Sequence, residues 1–272
     1  MAMILPELYN QCNNLTVSTT KDHLAKYKGL IKWKNEESIM ELGVGDGNCS
    51  MYCLQPFLPS RYKEFVAMDI SEAMLEYAKN NINLPNARFV QCDVGSEEID
   101  DEFIEKFDHI FSFYCIHMIE NISEAFKNLY KMLKPGGQMF LTVMEYSLAD
   151  MAFHKLSEVP RWEKYGKRTT VSPFYYSESP KEEYIKLLQT AGFKNYVLET
   201  ERIDFELGGE DMWQKLCIAI NPLLPKIAAE ELEDYKLEYL NQLRKSTSFS
   251  FKNNNSNIST NFNMFIIVAN KS

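Results

Sequence analysis

Three glycines alternate within the stretch Ser38-Ile-Met-Glu-Leu-Gly-Val-Gly-Asp-Gly-Asn48. This segment constrains the chain more than any other. An apolar run, an acidic residue at its end and a glycine-rich turn read as a short buried strand that enters a helix through a tight loop. Gly43, Gly45 and Gly47 let the backbone take φ > 0 and approach a ligand closely without a Cβ in the way. The acid at the strand end, Glu41, suits a cationic or hydroxyl-rich ligand better than a diphosphate. The turn therefore points away from nicotinamide dinucleotides, whose fingerprint is Gly-x-Gly-x-x-Gly.

The 272 residues suffice for one large domain, and 45% hydrophobic and 13% aromatic residues support a sizeable core. A net charge of −9 opposes binding to nucleic-acid backbones and to anionic membrane surfaces. The six cysteines show neither Cys-x-x-Cys nor a zinc spacing, so no metal is expected and a reducing compartment is. The N-terminus lacks a basic, then apolar, leader, and no apolar run approaches a membrane span. The expected location is the cytoplasm, without membrane insertion.

Apolar runs at Ser38–Leu42, Phe65–Asp69, Arg88–Cys92, His109–Phe113 and Gln138–Met144 alternate with helical patterns such as Ser71–Asn80 and Ser123–Leu133. Lys134-Pro-Gly-Gly137 reads as a helix stop and a turn into the next strand. Such alternation predicts an α/β, Rossmann-like sheet with helices on both faces. A helix over Pro180–Thr190, strands near Tyr196–Glu206 and Phe262–Ala269, and an Asn/Ser-rich loop over Lys252–Asn263 follow. The expected sheet has seven strands, five parallel and an antiparallel C-terminal pair. One domain spans 1–272, with a ligand-binding half over 31–146. Insertions at 147–190 and 208–250 form a helical cap over an acceptor site.

Asp69 ends the second strand at the distance past the glycines where a ribose-binding acid sits. Ile70 and Met74 are placed to flank an adenine face, Asp93 to accept from its amino group, and Val94 and Ser112 to line the same site. Together with Glu41, Gly43, Gly45 and Gly47, these residues point to S-adenosylmethionine (SAM), with S-adenosylhomocysteine as product. In this order, and with Lys134-Pro-Gly-Gly137, they resemble class I SAM-dependent methyltransferases from Ile31 to about Val143.

Ile31-Lys-Trp-Lys34, Phe107-Asp-His-Ile-Phe-Ser-Phe-Tyr114 into Ile116-His117, and Ala219-Ile-Asn-Pro222 are similar to the insect juvenile hormone acid O-methyltransferases. That resemblance implies methylation of a sesquiterpenoid carboxylate of the juvenile-hormone-acid or farnesoic-acid type. Two positions depart from the family pattern: Thr16 stands where a glutamine is expected and Met118 where a tryptophan is. Both are acceptor-site positions in the family. Losing two donors to a carboxylate is costly, at roughly 0.5–1.5 kcal/mol or more each, which leaves a smaller or less charged acceptor open.

A carboxylate needs no base to accept a methyl group, whereas a phenol with a pKa near ~10 benefits from one. His117, just past the fourth strand, is placed to be that base or to act as a structural histidine. The acceptor site is expected to draw on Tyr9, Gln11, Thr16, Tyr114, Met118, Met144, Tyr146, Phe174, Tyr175, Trp213, Ile220 and Asn221. Tyr9, Gln11 and Asn13 are also placed to close over the methionine end of the cofactor. Three readings stand: an O-methyltransferase for a small hydrophobic carboxylate, one for a small phenol, or a non-catalytic SAM-binding interaction protein.

Overall fold

The computed structural model describes residues 3–165, 171–252, 254 and 256–272. Residues 166–170 of the expected 147–190 insertion, and 253 and 255 of the expected Asn/Ser-rich loop, lie outside the described residues.

Five parallel strands form one half of the sheet: β1 (Ser38–Leu42), β2 (Glu64–Asp69), β3 (Ala87–Gln91), β4 (Phe107–Phe113) and β5 (Leu133–Met144). β1 is buried along its whole length, as a central strand covered on both faces must be. The other half is antiparallel: β6 (Asn195–Gly208) and β8 (Asn257–Asn270) pair with each other, and β8 also pairs with β5. The order across the sheet is β3-β2-β1-β4-β5-β8-β6, with β7 (Phe249–Lys252) hairpinned onto β8. The chain thus reverses direction across the sheet between β1 and β4, where open α/β sheets place their ligands.

The expected seven-stranded mixed sheet is present, with an eighth strand added. Residues 257–261, expected in a loop, belong to β8. Along this stretch Ile258, Thr260, Phe262 and Met264 are buried while the residues between them are not. That two-residue period is the strand signature, and the Asn/Ser content on the other face masks it.

Helices α1 (Pro6–Asn10) and α2 (Asn14–Tyr27) precede the sheet. α3 (Glu72–Asn81) follows β2, with Ser71 accepting from the Met74 N–H as N-cap. α4 (Ile122–Met132) buries Ile122, Ala125, Phe126, Leu129 and Met132, an i/i+3/i+4 stripe, against the sheet. The Lys134-Pro-Gly-Gly137 turn is a bulge in β5: Phe107 pairs with Leu133 but His109 pairs with Gln138. A Cβ on Gly137 would lie 2.9 Å from the Lys134 carbonyl oxygen and 3.0 Å from that of Phe107, so only glycine fits there. The later helices are α5 (Asp150–Ser157), α6 (Pro180–Ala191), α7 (Glu210–Ala219) and α8 (Leu232–Arg244). No helix among the described residues is long and apolar enough to cross a membrane.

Candidate active site

The carboxyl ends of β1 to β4 surround a cavity of about 330 Å³, within the size range of small-molecule sites. Its floor is the glycine turn. Gly43 and Gly45 have φ of +73° and +56°, values that exclude most side chains. Gly43 also has no room for a Cβ, which would meet Cys115 Sγ at 2.4 Å. The Gly43 and Val44 N–H groups donate to the Met68 carbonyl, which ties the turn to the end of β2. Gly45 N–H donates to Asp69 Oδ2 at 2.9 Å, and Ser71 N–H donates to Asp69 Oδ1 at 2.9 Å.

Glu41 lies at the cavity wall with its side chain buried, and its Oε2 accepts from Ser50 Oγ at 2.5 Å. Burial lifts its pKa from 4.5 to about 8, with Ser50 pulling the other way. A buried carboxylate held this way gains from a cationic partner. Asp93 is exposed on the rim, where Oδ1 accepts from Gly95 N–H. Its loop is fixed from behind by Asn128, fully buried on α4, which donates to the Val94 and Ser96 carbonyls at 2.9 and 2.7 Å.

A family model described as a methyltransferase domain matches residues 40–139, the span that carries all of these groups. Juvenile hormone acid O-methyltransferase of Bombyx mori is 27% identical over 266 residues, which cover 96% of this chain and 94% of that protein. Its Drosophila melanogaster counterpart is 29% identical over 86% of this chain and 80% of its own length. This chain is a SAM-dependent methyltransferase. Among solved structures, a putative methyltransferase of Bacillus halodurans shares the fold with a TM-score of 0.57 at 18% identity, covering 92% of this chain and 99% of that one. An N-methyltransferase of Haemonchus contortus, solved with S-adenosylhomocysteine, has a TM-score of 0.53 at 17% identity and covers 98% of this chain and 57% of its own.

The residues of the methyltransferase cavity fit SAM. The positive-φ turn offers close backbone approach, a Cβ at Gly45 would meet nothing nearer than Tyr9 at 3.9 Å, and Glu41 is a buried acid suited to a cation. Of the residues expected at the cofactor, Glu41, Gly43, Gly45, Asp69, Ile70, Met74, Asp93 and Val94 line the cavity. Gly47 lies outside the lining and gives room to Ile82, whose Cγ1 would be 2.8 Å from its Cβ. Ser112 is buried in the sheet and donates to the Leu42 carbonyl.

Of the residues expected at the acceptor, Tyr9, Thr16, Tyr114 and Met118 line the same cavity. Tyr9 and Thr16 share a hydrogen bond of 3.0 Å, and Thr19 and Tyr114 one of 2.6 Å. Six others stand elsewhere. Gln11 is exposed at the end of α1. Met144 is buried in β5 opposite Met264. Tyr146 packs edge-on against Tyr175, which neighbours His154 and Tyr176. Trp213 is wholly buried between Phe249 and Phe251, and Asn221 is buried with its side-chain Oδ1 accepting from Leu223 N–H. Of the two further candidates, Phe174 packs edge-on against Tyr184 and Ile220 borders the hollow described next.

His117 sits beside the main cavity rather than in it. It lines a hollow of about 20 Å³, room for a single water-sized group. Met118, Ile119 and Glu120 border both spaces. The imidazole is buried, Nδ1 has no hydrogen-bond partner, and burial alone brings its pKa down from 6.5 to about 4. Asp150 lines the same hollow and accepts from the Ser147 and Ser172 N–H groups, which joins the end of β5 to residues 171–177. Asp46, Cys115, Glu120, Asn128 and Asp150 were not singled out by sequence. Asp46 alone carried a sequence signal, as the acid inside the glycine turn.

Proposed function

We propose that this methyltransferase transfers its methyl group to an oxygen of a small hydrophobic acceptor, and that this oxygen belongs to a carboxylate of the juvenile-hormone-acid or farnesoic-acid type. The observation that carries the choice is His117. An imidazole held near pKa 4 is neutral at physiological pH but a poor base. Taking a proton from a phenol, with a pKa near ~10, would be strongly uphill for such a base, whereas a carboxylic acid with a pKa near ~4.3 arrives already ionised. The names of the two relatives that match most of the chain support the same acceptor class.

In this reading Glu41 faces the cofactor's ammonium group, Asp69 the ribose hydroxyls and Asp93 the adenine amino group. SAM, when bound, supplies a methyl already activated on a sulfonium. The chain's own task is then alignment and exclusion of water. Tyr9, Thr16 and Tyr114 offer hydroxyls along the cavity wall. His117 Nδ1, buried and unpartnered, is available to an acceptor oxygen in the adjoining hollow. In this reading the acceptor side is bordered by residues from both insertions, Ser147, Phe153 and Pro173 from the first and Ile220 and Pro222 from the second, which line that hollow.

Steady-state turnover of farnesoic acid and of a small phenol by wild type and His117→Ala tests the reading. The expected result is turnover of the acid, reduced less than about 10²-fold by the substitution, because no proton is moved. Phenol turnover that collapses by about 10²-fold or more in the variant would identify His117 as a base and overturn it.

A further inference from the structure

The glycine turn carries an acid whose partners come from a distant part of the chain. Asp46 lies between Gly45 and Gly47, with its side chain only 3% exposed. Its Oδ1 accepts from the Asn48 N–H at 3.1 Å, within the turn. Its Oδ2 accepts from Asn10 Nδ2 at 3.1 Å and Asn13 Nδ2 at 2.5 Å. These two amides flank the junction of α1 and α2, the helix pair that brings Tyr9, Asn13 and Thr16 to the cavity. Burial pushes the Asp46 pKa up, and the hydrogen bonds from Asn48, Asn10 and Asn13 oppose that shift.

We propose that Asp46 is a positioning residue that seats the N-terminal helix pair as the outer wall of the cofactor cavity, acting through Asn10 and Asn13. A buried carboxylate without donors is strongly disfavoured. The turn therefore keeps its acid buried only while the helix pair is seated, and the helix pair is oriented by that acid. Two structures that depend on each other in this way are linked, so a ligand that binds the turn also favours the seated wall. The Tyr9–Thr16 and Thr19–Tyr114 bonds brace the wall but leave the turn untouched.

S-adenosylhomocysteine is the probe, with affinity measured by calorimetry and exchange of the backbone amides followed over residues 3–20. In wild type, the ligand is expected to slow exchange over that span. Asp46→Asn places an amide where two amides already donate, and Asn10→Ala with Asn13→Ala removes the donors while leaving the turn intact. Each is expected to weaken binding about tenfold or more and to abolish the ligand-dependent protection. Combining Asn13→Asp with Asp46→Asn reverses donor and acceptor and is expected to recover most of the affinity lost by Asp46→Asn alone. Wild-type affinity in the double-alanine variant would overturn the proposal. So would a reversed pair that binds no better than Asp46→Asn. Should Asp46→Asn fail to fold, Asn10→Ala alone decides, because Asn10 donates to Asp46 without lining the cavity: loss of the ligand-dependent protection supports the proposal, and full protection at wild-type affinity overturns it.

Discussion

Glu41 gives the site a pH signature. Its carboxyl titrates near 8 in the folded chain against 4.5 ordinarily, so the folded state holds a proton that the unfolded state has lost between those values. Stability of the ligand-free protein should therefore fall as pH rises from about 4.5 to 8. Burial of Asp46 and Asp69 acts in the same direction. If Glu41 faces an ammonium, binding S-adenosylhomocysteine near neutral pH releases a proton. Calorimetry in buffers of different ionisation enthalpy should then show a heat that varies with the buffer, and a buffer-independent heat would remove Glu41 from that role. Gly43 gives a steric prediction. Gly43→Ala drives a Cβ against Cys115 at a backbone angle that L-residues avoid, and should cost about 1–3 kcal/mol in urea denaturation.

Between elements, the bulge opening β5 is the most exacting junction. Lys134 Nζ meets Asp108 Oδ2 at 2.5 Å, and that carboxylate also accepts from the Ser38 N–H, so β1, β4 and β5 converge there. Gly137→Ala presses on three backbone carbonyls and should cost about 1–3 kcal/mol of stability. Affinity for S-adenosylhomocysteine should be little changed, because the bulge lies at the strand ends remote from the cavity. A large loss of affinity at unchanged stability would contradict this.

The five parallel strands were legible to within a few residues, because buried β-type runs bounded by polar or glycine-rich turns have little else to become. β7 and the first half of β8 were not, because Asn and Ser on one face hide the alternation of Ile258, Thr260 and Phe262 on the other. The residues that line the cavity at the strand ends were largely legible, because they follow the strands in order. Fewer of the residues expected at the acceptor line that cavity. Trp213, Met144 and Asn221 are apolar or amide groups in packed surroundings, and nothing in sequence separates a pocket lining from a core. The amide pair that meets Asp46 escaped for another reason: it joins positions 33 and 36 residues apart, and only the fold brings them together.

At the scale of the molecule, a parallel half carries the cavity at its strand ends and an antiparallel half extends the sheet beyond β5. The later segments at 147–153, 171–173 and 220–222 meet beside His117, and this is where acceptor choice is proposed to lie. Thr16 and Met118, which depart from the pattern of the juvenile hormone acid O-methyltransferases, both line the cavity, and under the proposed function they share in that choice. Met118→Trp should lower KM for a long-chain acid acceptor without changing SAM affinity, if position 118 serves the acceptor alone; a parallel change in both would assign it to the cofactor instead. The claim of carboxyl methylation is tested most directly by incubating the protein with methyl-labelled SAM and farnesoic acid and treating the extracted product with mild base. The account predicts organic-soluble label that base releases as methanol, the behaviour of a methyl ester. Label that appears only with a phenol acceptor and survives base, as an aryl ether does, would contradict it.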